Sequence, residues 1–506
     1  MKQYARLQLT FISFVFLVLP VFAADPVKTL RADLKRIFAD GRLADAQLGV
    51  KIFSLDRSEV LYETNSSKLY MPASNNKILT AAVALVRLGP DYSFKTHILA
   101  DGSVVDGTLT GNLIIAGFGD PFSSSRFETK DPFRAFRDWA AKLKQRGIRT
   151  LTGSILGDGS AFEETAYGRG WAWDDLHEGF AAPVSALQFN ENLVWLEITP
   201  GLKAGSLASI KMEPLAAYFT LESKVVTGSG KEPARVEVFR NPLNELVVVS
   251  GTMPLGSSAI SRAVAVQYPI RYYLSALKQI LNEEGIDVSN CELSETKGAR
   301  PQASSLLWVH SSPPLSELIV PAMKLSLNLS NETLVRTMGL EFRGEGTFAR
   351  GKEVVEETLG QMGVSKDSYS YADGSGLSRL NLVSADALVR TLRYMHQNQY
   401  FRYFYDALPI AGVDGTLATR MKRTKAQNNV HAKTGTFANA SALSGYVQTA
   451  DGEMLAFSIL ANNYVASKDA AESVQDKALA RLAVFSRKGK TNTKPAAARQ
   501  TLVYIP

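Results

Sequence analysis

The chain has 506 residues, 45% of them apolar and 21% charged, with a formal charge of +7 and one cysteine. That length and apolar content build two or three domains around large cores and exclude a short disordered or fibrous chain. The lone Cys291 excludes an intrachain disulfide framework, and the modest basic excess, with no clustered patch, excludes a nucleic-acid surface.

The first residues, MKQYARLQLTFISFVFLVLPVFAADP, have Lys2 and Arg6 ahead of an apolar run from Leu7 to Val18. Val21-Phe22-Ala23 supplies small residues before Ala24, so residues 1–23 read as a signal peptide and the mature chain as exported. Without Lys2 and Arg6 the formal charge falls from +7 to +5. No later segment is apolar for long enough to predict a membrane span.

Residues Gln47 to Thr64 alternate as a hairpin turning at Asp56-Arg57. PASNNKILTAAVALVRLG, Pro72 to Gly89, then predicts a helix: Ser74, Asn75 and Asn76 suit its start, and Gly89-Pro90 stops it. Ile78, Ala82, Leu85 and Leu88 fall on one face. Ser74 and Lys77 are one turn apart, which puts a hydroxyl beside an amine. A desolvated amine is one way to activate a serine, and the helix start is where a developing oxyanion is favoured. The same spacing recurs at Ser275/Lys278, in an amphipathic helix, and at Ser294/Lys297, in a polar stretch, so spacing alone does not choose among them.

From about Tyr92 to Thr252, short alternating segments separated by Gly/Asp turns predict β-rich material, interrupted by a helix at PFRAFRDWAAKLKQRG. Helices return from Pro269 to Gln397, strands follow from Val430 to Asn463, and KDAAESVQDKALARLAVF closes the chain as a helix. Strands at both ends bracket a helical cluster, which predicts one α/β domain from residues 24–95 and 255–486. Residues 96–254 are then a β-rich insertion of two subdomains, and 487–506 a solvated basic tail.

Two more features carry chemistry. Ser326-Leu327-Asn328 follows the insertion, and Lys433-Thr434-Gly435-Thr436 lies on a predicted strand. On a strand Thr434 and Thr436 share one face, suited to a substrate carboxylate, while Lys433 points the other way and sets the potential. Gly435 leaves room for a substrate backbone, and the amides of Thr436 and Ser74 are suited to an oxyanion. Ser326 is placed to pass a proton to a leaving amine, and Asn328 to hold a substrate amide. The histidines His97, His177, His310, His396 and His431 are scattered, with no metal-ligand spacing.

Ser-x-x-Lys, Ser-x-Asn and Lys-Thr-Gly in this order resemble the signature set of the penicillin-recognising serine enzymes. The long gap between Lys77 and Ser326 is similar to that of one branch, the D-alanyl-D-alanine carboxypeptidase/endopeptidases of peptidase family S13, or low-molecular-mass class C penicillin-binding proteins. GFGDP at 117–121, APVSALQFNEN at 182–192, ADGSGLSR at 372–379, AGVDGTLATRM at 411–421 and HAKTGT at 431–436 extend the resemblance over most of the mature chain.

The resemblance implies an α/β penicillin-binding (DD-peptidase/β-lactamase-like) domain, with antiparallel sheet and helices, carrying a large β-rich insertion. It implies Ser74 as the acylated nucleophile, Lys77 as its base and Ser326 and Asn328 as the proton path. Lys433, Thr434, Gly435 and Thr436 would bind the terminal carboxylate and oxyanion. Asp158, where the family has an acidic residue near the cleft, would hold a diaminopimelate ammonium; a turn-capping role is the other reading. The implied substrates are peptidoglycan stem peptides in the periplasm, with β-lactams as covalent inhibitors, no cofactor or metal, and a homodimer left open. Leu327 stands where the branch has Asp, which removes a charge beside the site. A β-lactamase, and a scaffold that has lost activity, share the same motifs.

Overall fold

The computed structural model describes residues 25–488 except 122, 125, 127–130, 164, 216–217, 231, 242–243, 297 and 299–303. The expected signal peptide, Lys297 and the tail beyond Lys488 lie outside the described residues.

Both ends of the chain build one five-stranded antiparallel sheet, in the order His431–Phe437, Ala440–Gln448, Met454–Asn462, Gln47–Ser54, Glu59–Thr64. Strands 440–448 and 454–462 are apolar runs buried along nearly their whole length, because helices cover both faces. On one face, helices Pro26–Phe38 and Lys468–Ala483 bury Leu30, Leu34, Val474 and Leu479. The helical cluster on the other face buries Ile78, Leu85, Val335 and Leu388. Arg487, the first residue of the expected tail, is ion-paired with Glu453 at 2.8 Å and with Glu59.

The predicted Ser74 helix runs Asn76–Leu88, preceded by a 3-10 turn, Ala73–Asn75. Its one-sided pattern understates its burial: every residue from Asn76 to Leu85 is buried. Helices Asn328–Arg343, Phe348–Gln361 and Ala385–Gln397 pack around it, and Ala81, Ala82 and Ala84 leave them room.

The insertion holds a five-stranded sheet, ordered Leu293–Glu295, Ile155–Asp158, Leu113–Gly117, Ser93–Ala100, Ser305–Pro314, and two main three-stranded sheets centred on Leu193–Thr199 and Leu246–Pro254. The expected boundaries at 96 and 254 need correction. Helix Pro269–Glu283 buries Tyr272, Tyr273, Leu277 and Leu281 in the same core as Ile98 and Ile155, and strand Ser305–Pro314 pairs with Ser93–Ala100. By packing the insertion runs from Ser93 to Pro314. Its sheets share one apolar core, Val225, Val247 and Val249 included, where two separate subdomains were expected. An amphipathic pattern shows that a helix needs cover but not which sheet supplies it.

Candidate active site

Ser74 sits inside the 3-10 turn, between Ala73, whose φ of 45° is left-handed, and the first turn of the buried helix. Such a backbone costs of order 1 kcal/mol and persists only where neighbours enforce it. Here they do. A Cβ on Gly376 would lie 1.9 Å from the Ala73 carbonyl oxygen, and one on Gly435 would lie 2.3 Å from that of Pro72. Two glycines thus let two other segments press against the turn from different sides.

The residues expected to cap this helix do something else. No side-chain cap bond forms at its start. Asn75 Nδ2 donates to the Lys433 carbonyl at 2.9 Å, and Asn76 Nδ2 to the Asp373 carbonyl at 2.8 Å. The two asparagines clamp the serine turn to the Lys433 strand and to the ADGSGLSR loop.

Lys77 is fully buried, and its amine lies 2.9 Å from Ser74 Oγ, 2.6 Å from Asn328 Oδ1 and 2.7 Å from the Ser375 carbonyl oxygen. Burial lowers its pKa to about 7, against the opposing pull of Asp373 and Glu332. A neutral amine has two N–H groups and one lone pair. Asn328 Oδ1 and the Ser375 carbonyl can only accept, so they take both N–H groups and leave the lone pair facing Ser74. The geometry therefore presents a base to this hydroxyl.

Lys433 is also fully buried; burial and the nearby Lys77 hold its pKa well below the usual lysine value. Its amine donates to the Thr434 carbonyl at 3.0 Å. Along the strand Lys433 and Gly435 are buried while Thr434 and Thr436 are open, as the alternation predicts. Thr434 Oγ1 donates to Thr416 Oγ1 at 2.7 Å. The Cβ position of Gly435 is 3.0 Å from the Ser74 amide nitrogen, so no side chain separates strand from turn where an oxyanion would need both amides.

Ser326 has a left-handed φ of 60°, in the break between helices Leu315–Lys324 and Asn328–Arg343. It is Asn328, rather than Ser326, that hydrogen-bonds to Lys77. The asparagine's Nδ2 donates to the Phe180 carbonyl at 2.7 Å, which ties the insertion to the cleft. Ser326 and Asn328 line a cavity of about 290 Å³, with Phe180, Glu178 and Trp195 opposite. Leu327 is buried, so the position that lacks the family's charge is packed out of solvent. A larger cavity of about 620 Å³, beside Asp120 and His310, includes none of the expected site residues.

Asp158 lies in the insertion. It ends a strand of the insertion at 1% exposure, and its Oδ1 accepts from the Ser160 amide at 3.0 Å, the turn-capping geometry. The carboxylates lining the cavity with Asn328 are instead Glu178 and Glu191, and Asp174 and Asp175 lie on the 3-10 turn before Glu178. The decoy pair Ser275/Lys278 is also accounted for. Ser275 Oγ donates to the Arg271 carbonyl at 2.8 Å, while Lys278 donates to the carbonyls of Ser289 and Cys291. His431 stacks on Tyr405 with ring centroids 4.0 Å apart.

Two residues at the centre of the site, Glu332 and Arg336, escape a motif reading, and a third, Asp373, lies in the ADGSGLSR stretch with no role assigned to it by the motif. Asp373 is fully buried and accepts from Gly376 N, Ser378 N, Asn381 Nδ2 and, at 2.9 Å, Trp171 Nε1 of the insertion. Glu332 and Arg336 are buried on helix Asn328–Arg343. The signal for these two is in the spacing: Asn328, Glu332 and Arg336 are four apart on one face. Among the described residues no group of three His, Cys, Asp or Glu is placed to hold a metal ion.

The sequence pattern of the D-Ala-D-Ala carboxypeptidase 3 (S13) family matches residues 30–484. A D-alanyl-D-alanine carboxypeptidase from Actinomadura sp. is 33% identical over 468 residues, covering 90% of this chain and 85% of the relative. D-alanyl-D-alanine carboxypeptidase DacB of Haemophilus influenzae is 28% identical, covering 92% of this chain and 94% of its own. The crystal structure of penicillin binding protein 4 from H. influenzae superposes with a TM-score of 0.76 at 28% identity, covering 88% of this chain and 97% of that one. Its complex with a β-lactam gives a TM-score of 0.72 at 26% identity over the same shares.

Proposed function

The chain belongs to the D-Ala-D-Ala carboxypeptidase 3 (S13) family, and from that premise we propose a serine-type D-alanyl-D-alanine carboxypeptidase whose acyl-enzyme forms on Ser74. The observation that carries the nucleophile assignment is the Lys77 amine 2.9 Å from Ser74 Oγ, with Asn328 Oδ1 and the Ser375 carbonyl placed to take its N–H groups. Lys77 takes the serine proton as Oγ attacks the penultimate D-Ala carbonyl. The amides of Ser74 and Thr436 meet the developing oxyanion. The positive potential of Lys433 and the hydroxyls of Thr434 and Thr436 receive the terminal carboxylate. D-Alanine leaves with a proton delivered through Ser326, and water then hydrolyses the ester with Lys77 again as base.

The cavity beside Ser326 and Asn328 supports a second activity at the same serine: cleavage of cross-links, in which the leaving amine belongs to another stem peptide. Released products from purified muropeptides test it, and an enzyme that frees only D-alanine rules it out. An export signal at residues 1–23 suits a periplasmic substrate, and no helix among the described residues is long and apolar enough to cross a membrane.

β-Lactams present a strained amide to the same groups and should acylate Ser74. Labelled penicillin followed by peptide mapping tests this: a stable adduct on Ser74, absent in Ser74→Ala, is expected. Label on another residue overturns the assignment, and rapid drug turnover turns it toward a β-lactamase.

A further inference from the structure

The Ser375 carbonyl that binds Lys77 belongs to a residue held from its other side by a carboxylate. The Ser375 amide donates to Glu332 Oε1 at 2.7 Å, while the Ser375 carbonyl accepts from Lys77 at 2.7 Å. One residue's backbone thus joins Glu332 to the lysine amine. Glu332 stands four residues after Asn328 on the same helix, so a single helical face supplies a direct acceptor for Lys77 and an indirect one.

Glu332 is 1% exposed, and its Oε2 has no hydrogen-bond partner; the nearest cation, Arg336 Nη1, is 3.7 Å away. A buried carboxylate with one oxygen unbonded is costly. Accepting from neutral donors on Ser375 and Gly374 does not require a charge, since a glutamine oxygen would serve. A negative charge is useful here because Lys77 is buried close by and becomes an ammonium ion each time it takes a proton from serine.

Resting on the reading of Lys77 as the base, we propose that Glu332 is a positioning residue for that base. It orients the Ser375 carbonyl that fixes the amine, and it supplies the buried negative charge that Lys77 meets as it takes the serine proton. The charged and titratable groups around it are Arg336 on its own helix, Asp373 and Tyr371 on the loop, and Lys77 on the serine helix; Glu163 of the insertion reaches it through Arg336. Burial and Asp373 push the Glu332 pKa up, while its charge works against the desolvation that pulls Lys77 down.

The sign of the test follows. Without the Glu332 charge Lys77 is harder to protonate, so the acid limb of the acylation profile moves to lower pH. The plateau also falls, because the forming ammonium loses its counter-charge. Glu332→Gln keeps an oxygen for the Ser375 amide and removes the charge. Acylation by a chromogenic β-lactam, followed against pH, should show the limb lowered by about one unit and the plateau by about tenfold. Glu332→Asp holds the charge farther from Lys77, so its limb should lie between those of Glu332→Gln and wild type.

A limb that stays at the wild-type pH in a folded Glu332→Gln protein overturns the proposal, whatever happens to the plateau or the melting temperature. If Glu332→Gln does not fold, Glu332→Asp decides, because its shorter reach shifts the limb if the charge acts on Lys77 and leaves it unmoved if Glu332 only packs. The underlying reading fails separately: a penicillin adduct that survives Ser74→Ala removes Ser74 as nucleophile regardless of either profile.

Discussion

The protonation of Lys77 decides whether Ser74 is a nucleophile. As an ammonium the side chain would donate to all three of its neighbours, Ser74 included, and no lone pair would remain. Because burial brings its pKa to about 7, acylation should rise with pH through that region. The sign is that of a base which must be deprotonated to act. Measuring kcat/KM for a chromogenic β-lactam between pH 5 and 9, chosen as roughly two units either side of that value, checks it; a profile flat across neutrality contradicts it. Lys77→Arg should lose activity at every pH in that range, since a guanidinium does not give up its proton. Ser326 has a lesser part in the ground state than its motif suggests, because the hydrogen bond to Lys77 is made by Asn328.

At the scale of the element, the Lys433 strand and the serine turn work as one unit because Gly435 has no side chain. Its φ is ordinary, so Gly435→Ala adds no backbone strain. The added methyl would meet the Pro72 carbonyl oxygen at 2.3 Å and the Ser74 amide nitrogen at 3.0 Å. It must push strand and turn apart, separating the amides proposed for the oxyanion. We expect a folded protein with kcat lowered by about 10²–10³, the cost of losing one oxyanion donor. Wild-type kcat in that variant would show that the two amides do not act together. Gly376 differs, since φ of 85° and a 1.9 Å contact with the Ala73 carbonyl add strain to the clash. A substitution there should damage folding as well.

For the molecule as a whole, the insertion is fastened across the mouth of the cleft. Trp171 Nε1 bonds to Asp373 at 2.9 Å, Ser378 Oγ to the Arg169 carbonyl at 2.7 Å, and Arg336 Nη2 to the Thr165 carbonyl at 3.1 Å. Together with the Asn328–Phe180 bond, these tie segment 165–180 to the helix and the loop that supply the two acceptors of Lys77. Trp171→Phe keeps an aromatic ring but loses the indole N–H and part of its area, so thermal unfolding should show a loss of at least about 1 kcal/mol. Because Asp373 then loses one of its four donors, KM for a stem peptide should rise more than KM for a small β-lactam. Equal change for both substrates would mean that segment 165–180 does not form a wall for the longer one.

Much of this site is legible in the linear chain. One helical turn is enough to bring Ser74 and Lys77 together, and period two alone puts Thr434 and Thr436 on one face with Lys433 and Gly435 on the other. These are local relations, and local geometry repeats wherever the residue pattern does. For the same reason spacing by itself does not separate Ser74/Lys77 from Ser275/Lys278: the two pairs differ in what surrounds them, and the order of the distant motifs is what singles out the first. Burial of the first lysine and its hydrogen bonds to Asn328 and the Ser375 carbonyl depend on segments hundreds of residues apart. So does the boundary of the insertion, whose helix at Pro269–Glu283 shows an apolar face without naming its sheet. Only tertiary packing removes water from an amine, and it is that removal which turns an ordinary lysine beside a serine into a base.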